Sequence, residues 1–297
     1  MPEWSLIMST AYTDPILAWY ESNARDLPWR SPSATPWGVL VSEIMLQQTP
    51  VNRVMPVWHE WMKRWPTPPD LAAEPSGEAV RAWGRLGYPR RALRLHATAK
   101  AITERHDGEV PSSHAELLDL PGIGSYTAAA VASFAYRQRH AVLDTNVRRV
   151  LSRLISGDEY PPKSQTKAEV ATAEALLPLD PPTAALWSVA VMELGALVCT
   201  ARTPRCVDCP VLDKCTWQLE GRPAYDGPPR RGQTYAGTDR QCRGRLMAVL
   251  RDAEGPVEKP ALDIVWSDPI QRERALDTLI ADGLVDPLDD GRYALPS

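Results

Sequence analysis

Leu120-Pro121-Gly122-Ile123-Gly124-Ser125-Tyr126-Thr127, followed by Asp144-Thr145-Asn146-Val147, is the stretch that decides how this chain is read. Two glycines flank one apolar residue. Glycine accepts left-handed backbone angles and lets another backbone come close. Ser125 is placed to cap a helix running through the Ala-rich segment 126–132. A tight glycine turn that opens a helix aims backbone N–H groups at one spot, and such a spot suits a phosphate. One acid, Asp144, lies beyond it. Two readings stand: a plain helix-turn-helix joint in which Asp144 merely caps the next helix, or a phosphate-gripping hairpin with a working carboxylate behind it.

Working outward, apolar periodicity predicts helices over 114–119, 126–137 and 146–156 around the hairpin. Others fit 14–25, 37–48, 51–64, 76–86, 90–106, 164–177 and 183–198. No strand-period run and no internal repeat occurs in 1–220, so this part reads as all-α. The helix over 37–48 carries Glu43, with Val39, Leu40 and Leu46 as its neighbours three and four positions away. A carboxyl in apolar surroundings has a raised pKa and can keep a proton to donate. The alternative is a Glu on the exposed edge of that helix. Leu86-Gly87-Tyr88-Pro89 is a tight turn presenting an aromatic, either packed at the surface or offered to a ligand.

The net charge of −4 does not mark a nucleic-acid binder. Its distribution is more informative. Residues 234–297 hold 12 acids and 8 bases, and the rest of the chain holds 25 of each. Arg81, Arg85, Arg90, Arg91 and Arg94 form one cluster; Arg137, Arg139, Arg148, Arg149 and Arg153 form another. Both flank the hairpin, as solvated helix faces or as phosphate contacts. No apolar run approaches a membrane span, and the first ten residues lack the pattern of a secretion signal. A cytoplasmic location follows, with Met8 an alternative start to Met1.

Cys199, Cys206, Cys209 and Cys215 are spaced C-x6-C-x2-C-x5-C. Four close cysteines in a cytoplasmic chain suggest a metal site rather than disulfides. Zinc usually takes paired knuckles, whereas a single compact all-thiolate loop suits a [4Fe–4S] cluster. Cys242 stands apart. Residues 223–237 form a Pro/Gly/Arg linker. Beyond it, three helical segments (239–252, 260–266, 271–282) and two short strands around Asp289-Asp290-Gly291 suggest a winged-helix-like module over 238–297, against a plain helical tail.

Leu-Pro-Trp-Arg at 27–30, Ser-Glu-Ile-Met-Leu-Gln-Gln-Thr at 42–49, Gly-Tyr at 87–88, the hairpin at 120–127, Asp-Thr-Asn-Val-Arg-Arg-Val-Leu at 144–151 and Glu-Leu-Gly-Ala-Leu-Val-Cys at 193–199 coincide along one chain. Together they resemble the MutY-type adenine DNA glycosylases of the helix-hairpin-helix superfamily, over roughly residues 10–220. The Gln-Gln-Thr segment is the most specific part; endonuclease III shares the hairpin and the cysteine loop.

The resemblance implies a mainly α, two-lobed glycosylase over 1–222. A six-helix lobe would span about 31–143, and a [4Fe–4S] lobe would be made from 1–30 and 144–222. The substrate would be double-stranded DNA with adenine opposite 8-oxoguanine or guanine, bound by a monomer at the bacterial nucleoid. An enzyme that acts on a base takes it out of the stack. The resemblance places Gly122 and Gly124 at the backbone phosphates. Gln47, Gln48, Thr49, Leu86 and Tyr88 fall around the opposite base, and Trp29 and Arg30 at the adenine pocket. Glu43 becomes the general acid and Asp144 the carboxylate facing the sugar cation, with Tyr126 and Asn146 in support. Endonuclease III-like lyases carry Lys where this chain has Tyr126, and a Tyr forms no Schiff base, so the expected enzyme is monofunctional.

Two departures stand out. Val189 replaces an expected polar contact to adenine, and the tail is too short for the family's lesion-reading Nudix-like domain. The tail is therefore expected to take no part in reading 8-oxoguanine. The rival functions are a mismatch thymine glycosylase of the same superfamily and a non-catalytic iron–sulfur DNA-binding protein.

Overall fold

A computed structural model describes residues 3–228 and 235–297, with side chains from residue 11 onward. Part of the expected linker, 229–234, lies outside the described residues, as does Met1. The chain runs through α1 (Glu3–Asn23), a 3-10 turn (Pro28–Arg30), α2 (Pro36–Leu46), α3 (Val51–Arg64), α4 (Pro68–Ala72), α5 (Ser76–Trp83) and α6 (Arg90–Arg105). It continues with α7 (His114–Leu118), α8 (Ser125–Phe134), α9 (Thr145–Leu151), α10 (Lys167–Leu176), α11 (Pro181–Leu197) and α12 (Thr216–Leu219). The C-terminal part holds α13 (Asp239–Asp252), α14 (Lys259–Asp263) and α15 (Pro269–Ala281), then strands β1 (Asp286–Pro287) and β2 (Tyr293–Ala294). The predicted helices are present, with shifted ends. α1 starts well before residue 14, α5 stops at Trp83 because Gly84 takes φ +54°, and α4 has no counterpart in the periodicity. A Thr67–Asp70 capping box starts that short helix.

Packing divides the chain into two compact units. The first comprises 1–39, 112–118 and 124–229. Its core joins Ile16 of α1, Val147 and Val150 of α9, Leu176 of α10, and Trp187, Val191 and Leu194 of α11. Side-chain caps define these helices. Asp144 caps α9, Thr166 and Glu169 form a capping box on α10, and Asp180 caps α11 behind Pro181. Gly195 lets α11 approach α9: a Cβ there would lie 2.8 Å from the Cβ of Asn146 and 2.9 Å from its carbonyl oxygen.

The second unit comprises 40–111, 119–123 and 230–297. Val54, Trp58 and Trp61 recur at helical spacing on α3 and are buried. Trp61 meets Trp65 and Trp83 edge to face, with ring centroids 4.9 and 5.6 Å apart. The C-terminal residues belong to this unit. They form three helices and an antiparallel hairpin that pairs Asp286 with Ala294 and Pro287 with Tyr293, with a further bridge from Val257 to Tyr293. Arg81 donates to the carbonyls of Arg251 and Ala253 (2.7 Å to the latter), Arg251 donates to Val80 O (3.0 Å), and Gly77 N–H donates to Pro296 O (2.7 Å). Residues 124–143 pack with the cysteine-bearing segment, and the C-terminal residues pack with 40–111.

Candidate active site

At the hairpin, Gly122 takes φ +80°, and a Cβ there would press within 2.9 Å of the Arg94 Cβ. Thr98 Oγ1 holds the turn by donating to Pro121 O (2.7 Å). Gly124, not Ser125, is the N-cap of α8, at φ −102°. That φ suits any residue, and a Cβ on Gly124 would meet no atom within 4 Å. Among the described residues nothing crowds a side chain at that position. No side chain caps α8, so its N-terminus keeps its partial positive charge. Tyr126, in the first turn, packs against Ala129, Ala130 and Val142.

Asp144 serves as the cap of α9 and is held rigidly by doing so. Its Oδ1 accepts from the backbone N–H of Asn146 (2.8 Å) and Val147 (2.6 Å), and its Oδ2 accepts from Asn146 Nδ2 (2.8 Å). Burial pushes the carboxyl above the usual Asp range, opposed by these hydrogen bonds and by the charge of Arg149. Asn146 is fixed in turn, since its Oδ1 accepts from Arg149 Nη2 (2.8 Å), which also donates to Gly195 O (2.7 Å).

Glu43 sits on α2 among Leu40, Val41, Ile44 and Met45, all buried, and is itself 6% exposed. Of the two sequence readings of this residue, the exposed helix edge is excluded. In the same unit the chain after α2 and the 84–89 turn are tied together from below by Arg91. Its guanidinium donates to the carbonyls of Ile44 (2.8 Å), Met45 (3.0 Å), Gln47 (2.6 Å) and Gly87 (3.0 Å) and to Thr49 Oγ1 (2.9 Å). Thr49 Oγ1 donates to Leu86 O (3.2 Å), and Trp83 Nε1 donates to Gly87 O (3.0 Å). Thr49 and Leu86 are buried as part of this tie. It presents Gln48 and Tyr88 outward, both with left-handed backbone (φ +56° and +49°). Non-glycine residues in that region are strained, and such strain clusters at functional sites.

Trp29 is buried in the 3-10 turn. Arg30 does not stand clear for a ligand: its Nη1 donates to Glu193 Oε2 (3.0 Å). Glu193, fully buried on α11, also receives Arg25 through Nε (2.7 Å), Nη2 (2.8 Å) and its backbone N–H (3.0 Å). Burial alone would raise its pKa, but the Arg25 hydrogen bonds and the charge of Arg30 hold it below the usual carboxylate range. This clamp was not legible beforehand, because 168 residues separate Arg25 from Glu193. Val189 is half-buried on α11.

The arginine clusters divide. Arg85, Arg94 and Arg137 are exposed, whereas Arg91, Arg149 and Arg153 are buried on backbone carbonyls. Arg139 holds the end of α10 through the carbonyls of Glu174, Leu177 and Pro178. Five donors in a planar fork make Arg a clamp for orphan carbonyls at helix ends as readily as for phosphate.

Cys199, Cys206, Cys209 and Cys215 line one recess, together with Arg153, Val198, Leu212, Trp217 and Gln218. Among the described residues no three His, Cys, Asp or Glu side chains close on a point suited to one metal ion. The sulfurs are met by donors: Gln218 Nε2 to Cys206 Sγ (2.9 Å) and Arg153 Nη1 to Cys199 Sγ (3.4 Å). Burial pushes the Cys209 thiol up to about 11 and raises that of Cys215, so thiolates here call for a cationic group to stabilise them. Soft donors lining one recess, with N–H groups aimed at the sulfurs, fit an iron–sulfur group.

Residues 41–174 match the family described as HhH-GPD superfamily base excision DNA repair protein. An adenine DNA glycosylase of Mycobacterium tuberculosis is 56% identical over 282 residues, spanning 95% of this chain and 92% of its own. The adenine DNA glycosylase of Homo sapiens is 40% identical over 217 residues, spanning 69% of this chain and 39% of its own. Among solved structures, a thermostable thymine-DNA glycosylase superposes with TM-score 0.65 at 27% identity, over 71% of this chain and 97% of its own. The likeness to the thymine enzyme is one of fold, whereas the mycobacterial match runs through nearly the whole chain. With its helix-hairpin-helix core, the chain belongs to the adenine DNA glycosylase family of the HhH-GPD superfamily.

Proposed function

We propose that this protein excises adenine paired with 8-oxoguanine or guanine in duplex DNA, by hydrolysing the N-glycosidic bond and without lyase chemistry. Residues 1–222 form the glycosylase region and 238–297 its appended module, acting as one monomeric chain at the bacterial nucleoid. The observation that carries this reading is the burial of Glu43 on α2. Burial raises the cost of a carboxyl's charged form, and a general acid needs the neutral one. It donates its proton to N7 of adenine as the bond from N9 to C1′ breaks. The electron pair leaves with the base, and positive charge develops on the sugar. Asp144 faces that charge as a preorganised carboxylate, already oriented by the N–H groups of α9. A water, ordered with help from Asn146 and Tyr126, adds to C1′ and passes a proton back to the Glu43 carboxylate, leaving an abasic site and free adenine.

Gly124 supports the DNA reading, because a Cβ there would meet no atom within 4 Å and the space at the start of α8 is open to a phosphate. Gln48 and Tyr88 face the base opposite adenine, with Thr49 and Leu86 buried beneath them as supports and Gln47 beside them at the DNA; Trp29 backs the adenine pocket, and Arg30 reaches it only from its ion pair with Glu193. The four cysteines would hold a [4Fe–4S] cluster. When bound, it supplies structural cross-linking of the loop after α11; Arg153 and Gln218 stabilise the sulfur charge.

The test is incubation with A:8-oxoguanine duplex and detection of free adenine. Wild type should release it, and Glu43→Gln should lose about 10²-fold or more while still binding the mismatch. A Glu43→Gln protein within tenfold of wild type would remove the general-acid assignment.

A further inference from the structure

Tyr88 is 39% exposed on a strained turn, yet two guanidiniums lie over its ring. Arg91 approaches to 5.6 Å of the ring centroid from the buried tie beneath the turn. The second cation comes from the C-terminal module: Arg240, in the first turn of α13, stands 4.4 Å from the centroid. That is well within cation–π range. Arg240 also lies 5.9 Å from the Tyr235 ring. Its helical neighbours are committed elsewhere. Asp239 is taken by Arg274 (2.7 Å), and Arg243 by Asp282 (2.5 Å). Asp282 also receives Arg90 (2.7 Å), two residues beyond Tyr88, so α13, α15 and the start of α6 are joined at one carboxylate. The other end of α13 is pinned to α5 through Arg81 and Arg251. Arg240 is thus carried on a helix fixed at both ends, not on a wandering tail.

We propose that Arg240 is a positioning residue for recognition of the opposite base: it sets the orientation of the Tyr88 ring, and through it the C-terminal module takes part in discriminating 8-oxoguanine from guanine. This rests on the reading of Tyr88 as a contact to that base. A ring free to swing loses the preorganisation that lets it tell two similar bases apart. A guanidinium plane stacks on the ring, whereas an ammonium keeps the charge but not the plane. This runs against the expectation that the tail takes no part in lesion reading, and the test below separates the two. The match to the mycobacterial enzyme covers 95% of this chain and so includes most of the module, while the human match covers 69%.

The test is single-turnover excision by the full-length, cluster-loaded protein on A:8-oxoguanine and A:G duplexes. The proteins compared are wild type, Arg240→Ala, Arg240→Lys, Tyr88→Ala and the Arg240→Ala/Tyr88→Ala double variant. Arg240→Ala should lower the ratio of the two rates by about two- to fivefold, as expected for losing one exposed cation–π contact. Arg240→Lys should restore part of it, and the double variant should be no worse than Tyr88→Ala. Melting temperatures of the Arg240 variants should match wild type. An unchanged ratio in Arg240→Ala, or an equal loss on both duplexes as a phosphate contact would give, overturns the proposal. If Tyr88→Ala itself leaves the ratio intact, the opposite-base reading falls first and the proposal with it. If Tyr88→Ala collapses the ratio and Arg240→Ala does not, the proposal alone fails.

Discussion

Asp144 caps α9, and under the proposed function the same carboxylate faces the sugar. The hydrogen bonds from Asn146 and Val147 start α9, and they also immobilise the oxygens without neutralising them. Asp144→Asn separates the two duties, because Asn is as good an N-cap as Asp. The variant should keep its stability to within about 1 kcal/mol while adenine release falls by roughly 10² or more, through loss of the charge facing the sugar. A melt alongside a single-turnover assay checks both. Glu193 gives a pH prediction. Its folded pKa lies below its unfolded value, so its contribution to stability is fully present above the ordinary Glu range and is lost as pH falls through the lower, folded value. Glu193→Gln should flatten that acid limb. It should also destabilise by roughly 2–3 kcal/mol, less than the about 3–5 of a fully buried pair, since the Arg25 side chain is 34% exposed.

At the scale of elements, the loop from Cys199 to Cys215 has little regular structure: two 3-10 turns, Cys206–Asp208 and Leu212–Lys214, lead into the single turn of α12. Such a loop buries little apolar surface of its own. Arg153 supports it from the π-helical turn after α9, with its guanidinium 4.7 Å over Trp217 and bonded to Cys199 Sγ and Thr200 O. Protein purified without oxygen should be brown with about four irons per chain. Stripping the iron should lower the melting temperature and expose this loop to protease first. A colourless protein with stoichiometric zinc and full activity would contradict the cluster. The tie under Gln48 and Tyr88 has the same logic. One buried Arg gathers carbonyls from two loops, and so converts flexible connections into a rigid platform.

Over the whole molecule, three acids of the C-terminal module hold α13, α14 and α15 in place: Asp239 pairs with Arg274, Asp263 with Lys259 and Arg272, and Asp282 with Arg243 and, on α6, Arg90. A chain ending at Pro228 should melt several degrees lower, because Arg81, Arg90 and Gly77 lose their partners. Its preference for A:8-oxoguanine over A:G should fall at least to the level of Arg240→Ala. A truncated protein with unchanged melting and preference would show the module to be a passenger.

Sequence alone determined the helical class, the hairpin, the spacing of the four cysteines and the identity of Glu43 and Asp144, because each depends on local periodicity or on a short motif. It left open whether Glu43 was buried, what the arginines hold and where the tail docks. Those were decided only by tertiary structure. Burial, carbonyl clamps such as Arg91, the Arg25–Glu193 pair and the stacking of Arg240 on Tyr88 join residues 40 to 170 positions apart, and no periodicity along the chain records such meetings.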